Sequence, residues 1–308
     1  MIETIVYGFT IGAILYFISV GLSLTFGTMN IVNFAHGMVY SVGVYLFIAI
    51  LPLIDSNFPL STAVAIALMI PVAYVIERFI IRRLYGESID YAIIATYAVL
   101  LIGIDLIKWR WGTQPYPVRD PIGTYLTLGD VNLPIYRVSI VVIAFVLFVA
   151  LNLFFNRHIV GKIVLAALDD TEGVKRLGLD VNKYFSIVFV LGSALAVLGG
   201  VLYAPFSSAQ PYMGFTIILL GFATVIVGGM GNLNGTFVSA MILGMVIAVT
   251  GRFWSQAAET MVFVVMALVL IFRRVDTTDP WQGRWLNKLT STLRGGGGRE
   301  GQLEKQKR

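Results

Sequence analysis

His36 and His158 are the only two histidines in the chain, and there is no cysteine. The two lie far apart, with no ligand spacing around either, so these residues point to no metal centre, thiol chemistry or disulfide framework. No G-x-S-x-G string occurs. The nearest approach to a phosphate-binding loop is Asn156-Arg157-His158-Ile159-Val160-Gly161-Lys162-Ile163. It lacks the first glycine and the hydroxyl that G-x-x-x-x-G-K-[ST] requires. The expectation is a protein that is not an enzyme, with no catalytic residue, cofactor or metal of its own. The unusual side chains sit instead in MNIVNFAHGMVYS, residues 29–41, inside strongly apolar sequence. On a helix, Asn33, His36, Gly37 and Tyr40 fall at i, i+3, i+4 and i+7 and share one face. Lipid offers such groups no partner, so they must face the bundle interior or a cavity. In one reading the asparagines cap a backbone break, Gly27 and Gly37 permit close packing, and His36 makes a buried hydrogen bond. In the other, the face lines a translocation route. The capping role is taken for Asn30, and the pathway role for Asn33, His36, Gly37 and Tyr40.

The elements that must position this face follow from composition. The chain is 57% hydrophobic and 13% charged, with mean hydropathy +0.84. Soluble domains average about 45–50% apolar and about 25% charged residues, so the solvent here is a bilayer. Spans of about 20 apolar residues are expected at 4–26, 35–51, 59–81, 88–108, 137–156, 183–205, 214–230, 235–253 and 257–273. The fold class is thus an all-α integral membrane protein, a polytopic bundle of about nine (8–10) spans, with a broken helix near residues 27–37. MIETIVYGF lacks a basic n-region and carries Glu3, so it reads as a retained span rather than a cleaved signal peptide. Arg82, Arg83, Arg157, Lys162, Lys175, Arg176, Lys183, Arg273 and Arg274 fall on one face of a nine-span arrangement. The other face receives Lys108, Arg110, Arg119, Arg137 and Arg252. The positive-inside rule makes the first face cytoplasmic. That places the N-terminus and the 109–136 loop outside and the C-terminus in the cytoplasm. The Pro-, Gly- and aromatic-rich loop is expected to cover the mouth of the bundle, with a short hairpin around Leu128 to Leu133.

Charge placement also bears on energetics. Glu77, Arg78, Asp90 and Asp105 sit near span ends, and the span centres are almost without charge. A proton-driven carrier would bury such groups at mid-membrane, so energy must be supplied through a partner. The segment 157–183, RHIVGKIVLAALDDTEGVKRLGLDVNK, is suited to meet one. Asp169 precedes Glu172 by three, like a capping box. Ile163, Ala167, Asp170, Val174 and Leu177 recur at heptad-like spacing, and Gly178 suits a helix stop. Charge and periodicity fit an interfacial loop helix and a docking element equally. A second string, Gly228-Gly229-Met230-Gly231-Asn232-Leu233-Asn234-Gly235, echoes Thr28 to Asn33. This makes Asn232 and Asn234 further pathway candidates, because matched broken segments in two halves mark substrate routes in transporters. Gly192, Gly199 and Gly200 suit close helix packing.

Three separated stretches carry a family resemblance: GLSLTFGTMNIVNFAHG, LAALDDTEGVKRLGLDVNKYFSIVFVLGSALAVLGGVLYAP and GFATVIVGGMGNLNGTFVSAMILG. In order and spacing, from about residue 5 to 273, the chain resembles bacterial branched-chain amino acid ABC transporter permeases, the shorter of the two types. The resemblance implies an inner-membrane importer subunit paired with a second homologous permease. It also implies two cytoplasmic ABC ATPase subunits that use the ATP, and a periplasmic substrate-binding protein. Residues 162–182 fall where such permeases carry the coupling helix, which assigns that role to Ala167, Asp169, Asp170, Glu172, Val174, Leu177 and Gly178. Gly173 departs from the alanine usual in the family. The substrate implied is a branched-chain or other small hydrophobic amino acid. Urea, short amides and aromatic acids stay open, as does, in a different class, a self-sufficient channel or carrier. The permease domain is expected over 1–275. A tail over 276–308 follows, with an amphipathic helix from Asp279-Pro280 lying on the lipid surface. That basic tail explains a pI near 9.4 without nucleic acid.

Overall fold

The structure, a computed structural model, describes residues 2–29, 31–128 and 131–272. Asn30, the basic pair Arg273 and Arg274, and the expected tail helix lie outside the described residues. The helices are α1 (Ile2–Met29), α2 (Ala35–Ile50), α3 (Phe58–Phe79), α4 (Ile89–Trp111), α5 (Ile135–Arg157), α6 (Ile159–Asp169), α7 (Thr171–Arg176), α8 (Val181–Ser207), α9 (Met213–Gly228), α10 (Leu233–Phe253) and α11 (Thr260–Phe272). Among the described residues, eight helical stretches are long and apolar enough to cross a membrane. α9 has 16 residues and reaches only about 24 Å, short of the roughly 30 Å hydrocarbon layer. Its ends nevertheless lie at opposite ends of the bundle. Tyr212, just before it, sits 4.5 Å beneath the Lys108 ammonium at the C-terminus of α4. Gly231, just after it, lies against Gly27 at the C-terminus of α1. α9 therefore runs between the two ends of the bundle, with more than half of its residues buried.

α1 is the axis of the bundle. Every residue from Gly12 to Thr25 is buried, as expected of a helix that is apolar all round. Helices in lipid gain little from apolar burial against one another, so they associate through close backbone approach at small residues. On α1, Gly12 faces the backbone of Ala240 and Met241 on α10, and Gly244 of α10 fits against Gly8 and Gly12. Gly21 meets Gly192 of α8, while Gly199 accepts the Phe17 ring and Gly200 packs under Tyr40 and Val44 of α2. The three α8 glycines thus serve packing, as their spacing predicts. Side chains left outside this core are large and apolar, among them Leu68 on α3, Ile94 on α4 and Phe145 on α5.

At one end of the bundle the long loop after α4 packs on the segment beyond α8. Tyr116 exchanges two 2.8 Å backbone hydrogen bonds with Ala209 beyond α8. The Tyr45 hydroxyl also donates to the Ala209 carbonyl at 3.3 Å. Within the loop, β1 (Tyr125–Leu128) and β2 (Val131–Pro134) form an antiparallel hairpin, where the sequence predicts one. Trp109 is 84% exposed at this end, in keeping with an aromatic side chain at the membrane interface.

Replacing Gly244 by valine forces a branched side chain into the α1 backbone. Overpacking of this kind costs about 1–3 kcal/mol or more. The variant is expected to lose several degrees of thermal midpoint in detergent. Gly251→Ala serves as the control, because its methyl meets only Ala258 at 3.6 Å.

Candidate translocation and coupling site

The basic end of the bundle carries the candidate coupling segment. The expected single helix is two, α6 and α7, broken at Asp170 (φ −145°, ψ 90°). The reason is local capping. The Asp170 carboxylate accepts the Gly173 N–H at 2.9 Å, and the Thr171 hydroxyl donates to the Ala167 carbonyl at 2.7 Å. The cap is therefore Asp170, not Asp169. Glu172 does not close a capping box but pairs with Lys175 at 2.7 Å. Gly173 lies directly under the capping carboxylate, so an added methyl would press on Asp170. Gly178 ends α7 at φ +78°, as a helix stop requires.

Gly161, Val164 and Ala167 form the inner face of α6, and Val174 is the buried anchor of α7. Asp169, Asp170 and Glu172 are exposed. Leu177, expected on the apolar side, is 78% exposed, and Ile159 is 66% exposed. The segment thus holds the bundle through small apolar residues and turns acids and two large aliphatics outward.

A residue the sequence did not single out braces the helix that follows this segment. Glu77, near the end of α3, is fully buried. Its carboxylate accepts two hydrogen bonds from Arg82, at 3.1 and 3.0 Å. It accepts a third from the Tyr85 hydroxyl at 2.9 Å and a fourth from the Ser186 hydroxyl at 2.9 Å. Burial and the adjacent carboxylate both raise the Tyr85 pKa, keeping it a donor. Ser186 lies in the second turn of α8, just after α7, so the network joins α3 to the helix that leaves the coupling segment. The sequence signal was faint: a carboxylate five residues before an arginine, with its third and fourth partners supplied by Tyr85 and a distant span.

The two Asn-bearing strings meet at the same end. The break between α1 and α2 is stitched to α4 by Thr96, whose hydroxyl accepts the Phe34 N–H and donates to the Val32 carbonyl, both at 3.1 Å. The break between α9 and α10 turns through Gly229 and Gly231, at φ +92° and +79°. Ser23 of α1 accepts the Gly231 N–H at 3.1 Å and hydrogen-bonds the Thr236 hydroxyl at 3.0 Å. Asn232 caps α10 by accepting the Gly235 N–H at 2.9 Å. Asn232 and Asn234 are exposed and line a cleft of about 490 Å³ with Asn152, Asn156, Asp169 and Gly27.

The α2 candidates lie elsewhere, in the bundle interior. Asn33, His36 and Tyr40 are at most 1% exposed. His36 is seated on the Gly21–Gly192 contact, with the Gly192 backbone as the polar group it faces. Among the described residues the Asn33 amide and the Tyr40 hydroxyl have no hydrogen-bond partner, and Gly37 packs against the Gly214 backbone. Asn232 and Asn234 therefore share one cleft with Asp169, whereas His36, Gly37 and Tyr40 of α2 face α1, α8 and α9, and Asn33 is buried in the break before α2. Among the described residues, no group of three or more His, Asp or Glu is placed to hold a metal ion.

A bundle of apolar spans with two apposed backbone breaks and an exposed, charged segment on its basic end has the architecture expected of a membrane permease. The chain belongs to the branched-chain amino acid transport system permease component family, whose model matches residues 4–272. The high-affinity branched-chain amino acid transport system permease protein BraD of Pseudomonas aeruginosa is 28% identical over 289 residues, covering 88% of this chain and 94% of BraD. The corresponding LivH protein of Escherichia coli is 26% identical over 279 residues, covering 86% and 91% of the two chains. Among solved structures, PsaBC from Streptococcus pneumoniae in complex with Fab aligns at TM-score 0.48 with 14% identity, covering 92% of this chain and 93% of that one.

Glu77→Ala leaves Arg82, Tyr85 and Ser186 facing a void. Breaking a buried ion pair from one side costs about 3–5 kcal/mol, and denaturant titration of the detergent-solubilised protein is expected to show a loss of that order. A Glu77→Leu, Arg82→Met double variant removes both charges and is expected to recover part of it.

Proposed function

We propose that this chain is the membrane permease subunit of a binding-protein-dependent ABC importer of branched-chain or other small hydrophobic amino acids. It works with a second homologous permease, two cytoplasmic ATPase subunits and a periplasmic binding protein. The observation that carries the reading is the family match over residues 4–272, together with relatives named as branched-chain amino acid permeases along nearly their whole length. The basic end, with Arg82, Arg83, Arg157, Lys162, Lys175, Arg176 and Lys183, is the cytoplasmic one. The end with Glu3 and the 109–136 loop faces the periplasm.

In this reading α6 and α7 dock on the ATPase through Asp169, Asp170, Glu172 and Leu177. Ala167, Val174 and Gly178 keep their shape. Closure of the ATPase dimer pushes on α7, and the push passes to α8 by covalent continuity and to α3 through Ser186 and Glu77. His36 and Tyr40 sit at contacts of α2 with α1 and α8, and Asn33 lies in the break before α2; among the described residues the Asn33 amide and the Tyr40 hydroxyl are unmatched. Leaving such groups buried without partners costs about 1–3 kcal/mol each. That cost favours a state in which the helices part and the same face meets water and substrate. Asn232 and Asn234 border the cytoplasmic exit.

Lysine at Asp169, Asp170 and Glu172 together is expected to leave membrane insertion intact and ATP hydrolysis running, while amino acid uptake by the reconstituted complex falls to background. Normal uptake would remove the docking assignment. The purified chain alone in liposomes is expected to pass no leucine. Uptake without ATPase subunits would instead identify a self-sufficient carrier.

A further inference from the structure

A cavity of about 780 Å³ opens at the end opposite the coupling segment, where α1 begins and α10 ends. Its volume lies in the usual range for small-molecule sites, about 300–1,000 Å³. The floor is apolar and buried: Ile14, Leu15, Leu220 and Ile247 are all at most 7% exposed. The rim carries four charges of balanced sign, Glu3 and Glu259 against Arg137 and Arg252. Among the described residues none of the four makes an ion pair.

Both arginines are held in place without being neutralised. Arg137 is half-buried, with its guanidinium 5.4 Å from the Tyr7 ring centre. A cation stacked on a ring face keeps its in-plane N–H donors for another partner. Arg252 donates to the Thr4 hydroxyl at 3.0 Å, a neutral acceptor that leaves its charge uncompensated. Lone carboxylates and lone guanidiniums around one apolar floor match a ligand that bears both charges and a greasy side chain. A simple anion would meet two carboxylates, and a simple cation two guanidiniums.

We propose that this cavity is a receiving site for an amino acid zwitterion. Arg137 and Arg252 take the α-carboxylate, Glu3 and Glu259 take the α-ammonium, and Ile14, Leu15 and Ile247 cover the side chain. The assignment rests on the importer reading above and adds to it a site within this chain, at the outer end of the α1–α10 pair.

The test uses the whole reconstituted complex with a photoreactive diazirine analogue of leucine. Label is expected in proteolytic fragments of this chain that carry Ile11 to Leu15 or Ile247 to Thr260. Excess leucine should suppress it, and N-acetyl-leucine and leucinamide, each missing one charge, should not. Glu259→Gln, an exposed change, is expected to cut labelling about tenfold or more, because hydrogen bonds between charged groups are the strong ones. Arg137→Gln should do the same, and a folding defect in that variant would not touch the Glu259 result. Three results would overturn the site: no label in these fragments, equal competition by the single-charge analogues, or variants that shift only the half-saturating concentration of loaded binding protein. In the last case the charges dock the binding protein instead. Leucine uptake by the unmodified complex with the cavity unlabelled removes the site and leaves the importer reading standing. Absence of leucine uptake removes the importer reading, whichever fragments carry label.

Discussion

Close approach of helix backbones at glycine is the constraint on which the rest of this molecule depends. In water, apolar faces drive helices together. In lipid the surroundings are as apolar as the faces, and packing contacts must supply the association. α1 solves this by presenting Gly8 and Gly12 to α10, Gly21 to Gly192 of α8, and Gly27 to Gly231. Because four contacts along one helix set the positions of α8 and α10, α1 becomes a buried axis. The larger apolar side chains of α3, α4 and α5 are left for lipid.

The same constraint shapes the breaks. Backbone N–H and C=O groups within the membrane need protein partners, so a helix can be interrupted only where another element supplies them. Thr96 does this for the break after α1. Ser23 does it for the break after α9. Since Ser23 belongs to α1, the second break is tied to the helix whose own C-terminus forms the first. This places both interruptions and the Asn-lined cleft at one end of the bundle, beside α6. The Glu77 network joins the second turn of α8 to the end of α3.

Much of this was legible in the residues. The span pattern, the hairpin before α5, the stop at Gly178 and the packing role of the α8 glycines all follow from period, turn chemistry and residue size, which act over a few neighbours. What escaped the sequence was any feature with a distant partner. Glu77 reads as an ordinary span-end charge until Ser186, 109 residues away, is brought beside it. The choice of Asp170 over Asp169 as cap turned on one residue of register that spacing alone leaves ambiguous. Leu177 shares the heptad phase of Val174, yet it lies outside because α7 ends at Arg176 and Leu177 is already its non-helical cap.

The sequence by itself determined the solvent, the class of fold and the family, because hydropathy, charge asymmetry and motif order are carried by the chain without reference to its contacts. The tertiary structure decided which polar residues lie together. It sent His36 and Tyr40 inward against α8 and put Asn232 beside Asp169. It also gathered Glu3, Arg137, Arg252 and Glu259 around one cavity. Those neighbourhoods are set by where glycine lets helices cross, and a crossing is a property of two helices at once.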